Sequence, residues 1–195
     1  MTPKSLTALA GAALTALALA TAAQANEYQA SLEELVDTQL RGIASEGFII
    51  DSIRAMNAER ASLTQDDIDA KDKDWRAQVG SSNATLIETV MATPSSQRLS
   101  EIRDVSEGLF TEIFVMGGKG LNVAASDVTS DYWQGDEAKW QKTYLVGPDA
   151  MHISEVELDE STQTYQAQVS LPVVDPDTSA PIGAITFGVN VEYLQ

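Results

Sequence analysis

Four aromatic residues, Tyr132, Trp133, Trp140 and Tyr144, crowd into 13 consecutive positions of a chain whose aromatic content is only 6%. Between them stand Asp136 and Lys139, and Asp136, Lys139, Trp140 and Thr143 recur at helical spacing, so part of the set can face one direction. Aromatic walls with a carboxylate suit a ligand ammonium, through the ring quadrupole and charge-assisted hydrogen bonds. Lys139 would instead hold a carboxylate. The same residues also serve the plainer purpose of plugging a connecting segment onto a sheet as core, and the sequence leaves both readings open. The last apolar stretch adds to this picture. Ile185, Phe187, Val189 and Val191 point one way, whereas Ala184, Thr186, Gly188 and Asn190 point the other. A face of small and weakly polar side chains accepts either a closely packed helix or a pocket. The candidate ligand-binding set is therefore Tyr132, Trp133, Asp136, Lys139, Trp140, Tyr144, Thr186 and Asn190.

Other chemistries find less support. Asp66, Asp67, Asp69, Asp72 and Asp74 invite a calcium loop, but Lys71 falls where a ligand is needed and no bidentate Glu follows. A solvated acidic helix face is the expectation. His152 is the sole histidine, so no multi-histidine metal site exists, and on a strand His152 and Glu155 point to opposite faces. With no cysteine, thiolate catalysis, disulfides and cysteine-bound zinc are excluded. The chain lacks a Gly-x-Ser-x-Gly elbow, a His-Glu-x-x-His motif and a phosphate-binding glycine loop. No enzyme, metal or cofactor is expected.

The formal charge of −17 repels phosphate backbones and anionic lipids, which argues against nucleic acid as a partner. Cationic small molecules and basic proteins stay open. The N-terminus has the parts of an export signal: Lys4, an uncharged apolar run over 6–20, and Ala23-Gln24-Ala25. Cleavage after Ala25 is expected, since the run is too short and Ala-rich for the ~20 apolar residues that span a bilayer. Residues 26–195 would then form one periplasmic or secreted domain.

The elements that must position the candidate residues follow from periodicity. Leu32, Leu35, Val36, Leu40, Ile43, Ala44, Ile50 and Ile53 make one helical stripe over 28–58, with Ser31 and Glu34 at capping-box spacing and a bend at Gly42 or Gly47. Helices are also expected over 65–79 behind Thr64, over 83–91, and from Pro94 to the Gly108 region. After Gly108 the period drops to two. Strands are expected at 111–116, 121–126, 153–159, 166–174 and 182–191, with a polar aromatic excursion over 127–147. Helices first and strands after is an α+β order.

This order, and several stretches within it, resemble the extracytoplasmic PAS-like Cache (PDC) sensor domains. The stretches are the hairpin Ile113-Phe114-Val115-Met116 with Leu121-Asn122-Val123-Ala124-Ala125-Ser126, and the excursion from Ser130 to Trp140. Ser170-Leu171-Pro172-Val173 and Pro181-Ile182-Gly183-Ala184-Ile185 resemble the family's last two strands. The resemblance implies a long N-terminal helix packed on a five-stranded antiparallel sheet, with a ligand pocket on the other face under the excursion. It also implies a small-molecule ligand: an amino acid, an amine or an organic acid. Cache domains normally sit between two membrane helices, whereas this sequence ends at Gln195. The expectation is thus a standalone domain that signals through a membrane sensor or transporter partner, with a homodimer formed through the N-terminal helix. The competing expectation is a structural or protein-interaction module with a filled pocket.

Overall fold

The apolar stripe of the first segment does form helix, in a computed structural model that describes residues 28–159 and 163–194. The export signal falls on residues outside that range. Helix α1 (Gln29–Leu35) passes through a π-helical turn (Val36–Leu40) into α2 (Arg41–Ala44). The long helix expected over 28–58 is in fact two. Ser45 and Glu46 leave helical geometry, Glu46 is extended at ψ 136°, and α3 (Gly47–Glu59) starts anew. Ser45 Oγ donates to the Gly42 carbonyl at 2.8 Å and helps end α2. The break lets Ile49, Ile50 and Ile53 stay on the core after the turn in the chain. Nor does Ser31 cap the helix: Tyr28 stands at the N-cap position, and Ser31 lies inside the helix.

Helix α4 (Gln65–Gln78) opens on a capping box. The Thr64 side chain accepts from Asp67 N–H while the Asp67 carboxylate accepts from Thr64 N–H at 2.9 Å. Short α5 (Thr85–Met91) leads to α6 (Pro94–Val105), capped by Thr93 with Pro94 in its first turn.

The strands are β1 (Phe110–Gly117), β2 (Asn122–Ala125), β3 (His152–Ile153), β4 (Glu157–Asp159), β5 (Thr164–Val174) and β6 (Pro181–Asn190). They form one antiparallel sheet of order β2-β1-β6-β5-β3, with β4 also on β5. The expected strand over 153–159 is thus two pieces along the same edge. At the break, Ser154 Oγ takes the Gln168 N–H at 2.8 Å in place of a backbone carbonyl. The opposite edge is closed by side chains. Arg60 donates to the Asn122 carbonyl at 2.9 Å, and Ser96 Oγ accepts from Ala125 N–H at 3.1 Å.

One face of the sheet is the main core. Ile113, Val115, Val169, Leu171, Ile185, Phe187 and Val189 pack against Leu32, Val36, Leu40, Ile49 and Ile53 of the first helices, all within 1% of full burial. A second cluster, Ile68, Trp75, Ile87, Val90, Leu121 and Tyr132, joins α4 and α5 to the start of the excursion.

Candidate ligand-binding face of the sheet

Register places three short rows on the face turned away from the main core. Phe114, Thr186, Ser170 and His152 lie side by side across β1, β6, β5 and β3. Met116, Ala184 and Pro172 form a second row, and Glu112, Gly188 and Gln168 a third. The excursion folds over this face, with its helix α7 (Ala138–Gln141) carrying Lys139 and Trp140. Trp140 and Tyr144, ring centroids 5.0 Å apart, pack with Phe114, Met116, Ala125 and Ala184. Trp140 Nε1 donates to the Gly117 carbonyl at 3.0 Å and fixes the cover to the hairpin. The hairpin itself admits only glycine at one point. Gly120 has φ +76°, and a side-chain carbon there would stand 2.5 Å from Gly135 Cα.

The chemistry sits at the third row. A β-bulge sets both Thr111 and Glu112 against Gly188. A side-chain carbon at Gly188 would approach Glu112 Cγ to 2.7 Å, so glycine makes room for the carboxylate stem. Glu112 Oε1 accepts from the Gln168 amide at 2.8 Å, and Thr111 donates its hydroxyl hydrogen to Gln166 Oε1. Burial pushes the Glu112 carboxyl above the usual carboxylate range, with Asp159 and Asp127 adding to the rise. The Gln168 hydrogen bond and the Lys139 charge work in the opposite sense. Lys139 Nζ stands 5.4 Å from the Phe114 ring centroid, donates to Gln134 Oε1 at 3.3 Å and pairs with Glu137 at 2.9 Å. His152 is held toward its neutral form, first by burial and then by Lys142 and Lys139. The face therefore offers one carboxylate with a neutral hydrogen-bond partner, one ammonium over an aromatic ring, and a neutral imidazole.

The eight residues singled out from sequence divide into three groups. Lys139, Trp140, Tyr144 and Thr186 gather on this face, although Thr186 is fully buried and shares a 2.9 Å hydrogen bond with Ser170. Tyr132 and Trp133 belong to the other side of the excursion. Tyr132 stacks on Trp75 at 5.0 Å and accepts from Arg60 at 2.6 Å. Trp133 bonds through its indole to the Lys119 carbonyl at 2.9 Å. Asp72 Oδ1 accepts the backbone N–H groups of both, at 2.9 and 3.0 Å. Asp136 is exposed, and Asn190 is a buried cap that accepts from Glu192 N–H at 3.0 Å.

Sequence reasoning missed Glu112, Gln168 and Phe114. A signal for Glu112 existed: it is the one charge in the strand Phe110–Gly117, otherwise mostly apolar and aromatic. Nothing in the sequence marks the bulge that aims it.

No family model and no curated protein matches this chain. Among solved structures it is similar to the sensor domain of the V. cholerae histidine kinase DctB, at 14% identity and TM-score 0.37, covering 88% of this chain and 58% of that one. It is also similar to the sensory domain of the Campylobacter jejuni chemoreceptor Tlp3, at 13% identity, TM-score 0.43 and coverages of 91% and 62%. A third is the ligand-binding domain of the Pseudomonas aeruginosa amino acid chemoreceptor PctC in complex with GABA, at 14% identity, TM-score 0.41 and coverages of 91% and 61%. The chain spans about three fifths of the length of these domains. They are sensor domains of a histidine kinase and of chemoreceptors. At such TM-scores the likeness carries nothing about a ligand.

Proposed function

We propose that this chain is a sensor-type domain that binds a small molecule bearing an ammonium group, an amine or an amino acid, and acts through a partner without catalysing a reaction. The observation that carries the reading is Glu112, a carboxylate driven toward its neutral form by burial, whose hydrogen-bond donor is the neutral amide of Gln168. A ligand ammonium in contact with Glu112 would supply a closer counter-charge than Lys139 does, and a desolvated charge gains more from such pairing than an exposed one. For an amino acid, the neutral His152, in the row of Phe114, Thr186 and Ser170, suits the ligand carboxylate as a hydrogen-bond donor. The binding role is further supported by the hydroxyls of Ser170 and Thr186, which are fully buried and bonded to each other rather than presented as nucleophiles. Export to the periplasm, a membrane sensor or transporter as partner, and pairing of two copies through the N-terminal helix complete the proposal.

Calorimetric titration of the full chain with simple amines, amino acids and organic acids tests it. Heat is expected from ammonium-bearing compounds and not from organic acids alone. Binding of organic acids only, or of nothing in the panel, would remove the reading. One observation favours a second reading, the structural or interaction module. Trp140 and Tyr144 already cover Phe114, Met116 and Ala184, as packed core would. In that case the panel stays silent while Trp140→Ala still costs roughly 2–4 kcal/mol of stability.

A further inference from the structure

The cation position on the sheet's covered face already has an occupant, supplied by the chain itself. Lys139 Nζ lies over the Phe114 ring at 5.4 Å, beside the row that holds Glu112. Its side chain is only 14% exposed, and the Phe114 residue beneath it 2%. Yet the partners of the ammonium among the described residues lie outside the strands. Its direct partners, Glu137 and Gln134, both belong to the excursion, and the Glu137 side chain is 38% exposed. Both bonds that hold the ammonium over Phe114 therefore come from the excursion.

We propose that Lys139 is a tethered occupant of the ammonium site over Phe114, and that an incoming ligand must displace it. This rests on the reading of the face as an ammonium site. The tether makes Lys139 a specificity-determining residue. A covalently held competitor acts at a high effective concentration, so it lowers the apparent affinity of every ammonium ligand by the fraction of time it fills the slot. Weak cations are excluded, and only compounds that also engage Glu112 and Gln168 win the exchange. The slot has the form of the primary ammonium that fills it, which favours primary over quaternary ammonium groups.

Chemical complementation tests this in the full chain. Lys139→Ala removes a propylammonium-sized piece, so n-propylammonium is the probe and n-propanol its neutral isostere. By NMR titration, n-propylammonium is expected to bind Lys139→Ala at least tenfold tighter than the unaltered chain, and tighter than n-propanol. Adding Phe114→Leu should erase the preference for the cation. Glu137→Gln, an exposed change that threatens the fold little, loosens the tether and should raise the affinity of the otherwise unaltered chain several-fold. Equal n-propylammonium affinity in the unaltered chain and Lys139→Ala, no gain in Glu137→Gln, or equal uptake of n-propanol would overturn the proposal. These outcomes are separate from the fate of the sensor reading. That reading fails if the unaltered chain binds nothing from the amine and amino acid panel, even where Lys139→Ala takes up n-propylammonium.

Discussion

Glu112 carries the charge on which the binding account depends, and its environment gives it a pH signature. Burial raises its folded-state pKa above the value in the unfolded chain. Below the ordinary carboxylate range both states hold the proton, and the residue costs nothing. As pH rises through that range and then through the folded pKa, the folded state must ionise a group it prefers neutral, and stability is lost. Glu112→Gln keeps the shape and removes the charge. It should therefore melt higher than the unaltered chain near neutral pH, with the gain shrinking to nothing on acidification. Melting curves from about pH 3 to 8 read this; a difference that does not change with pH would contradict the environment described. The residue scale is also where the sequence was least legible. Gln166, Gln168 and Ser170 alternate with apolar residues along β5, yet Ser170 is fully buried and Gln168 holds Glu112. What faces a second layer and what faces water look alike in a period-two pattern.

The excursion is the element that makes or closes the site, and it is rooted away from the face it covers. Asp72 on α4 accepts two consecutive backbone N–H groups, of Tyr132 and Trp133, and pairs with Arg76 at 2.7 Å. Trp75 stacks on Tyr132 and bonds to the Thr129 carbonyl at 2.8 Å. Asp72→Ala leaves two donors without partners and should cost roughly 2–3 kcal/mol in chemical denaturation. It should also speed hydrogen exchange over residues 129–134 before the rest of the chain; uniform exchange would argue against a rooted excursion. A second fastening ties α3 to the β5–β6 turn, where Arg54 makes a two-pronged contact with Asp175 at 2.9 and 2.6 Å and reaches Asp177. The guanidinium lowers the Asp175 carboxyl to about 2. A depressed carboxyl stabilises the fold above its unfolded pKa and loses that contribution as pH falls through the folded value. Acid unfolding should therefore steepen from about pH 4 down to about 2, and Asp175→Asn should flatten that limb. The helices, hairpin and strands were legible because their periodicities coincide with burial. The helix break at Ser45 and Glu46 falls between Gly42 and Gly47, where the sequence predicts a bend. The split at Ser154 was not legible, since it rests on one side chain bonding to backbone at a site no pattern marks.

For the molecule as a whole, the α+β order read from periodicity and the helix-on-sheet packing that the resemblance implies agree with the layers observed. Helices cover one face of the antiparallel sheet, the excursion covers the other, and the apolar stripe of the first segment supplies most of the helical side of the core. The candidate site was half legible. Lys139, Trp140, Tyr144 and Thr186 lie on the covered face of the sheet, but Tyr132 and Trp133 face the opposite side of the same segment. Four aromatics close in sequence say that a segment is fastened down, not on which side each ring lies. A parallel thermal-shift screen of the full unaltered chain and Glu112→Gln, near neutral pH, tests the central claim most directly. The panel should contain amines, amino acids and organic acids at equal concentration. A ligand at ~100 Kd adds about 2.7 kcal/mol to the folded state, so a real site is easily seen. The expected result is a class of ammonium-bearing compounds that raises the melting temperature of the unaltered chain and leaves Glu112→Gln unmoved. Equal shifts in both proteins, or none in either, would contradict the account.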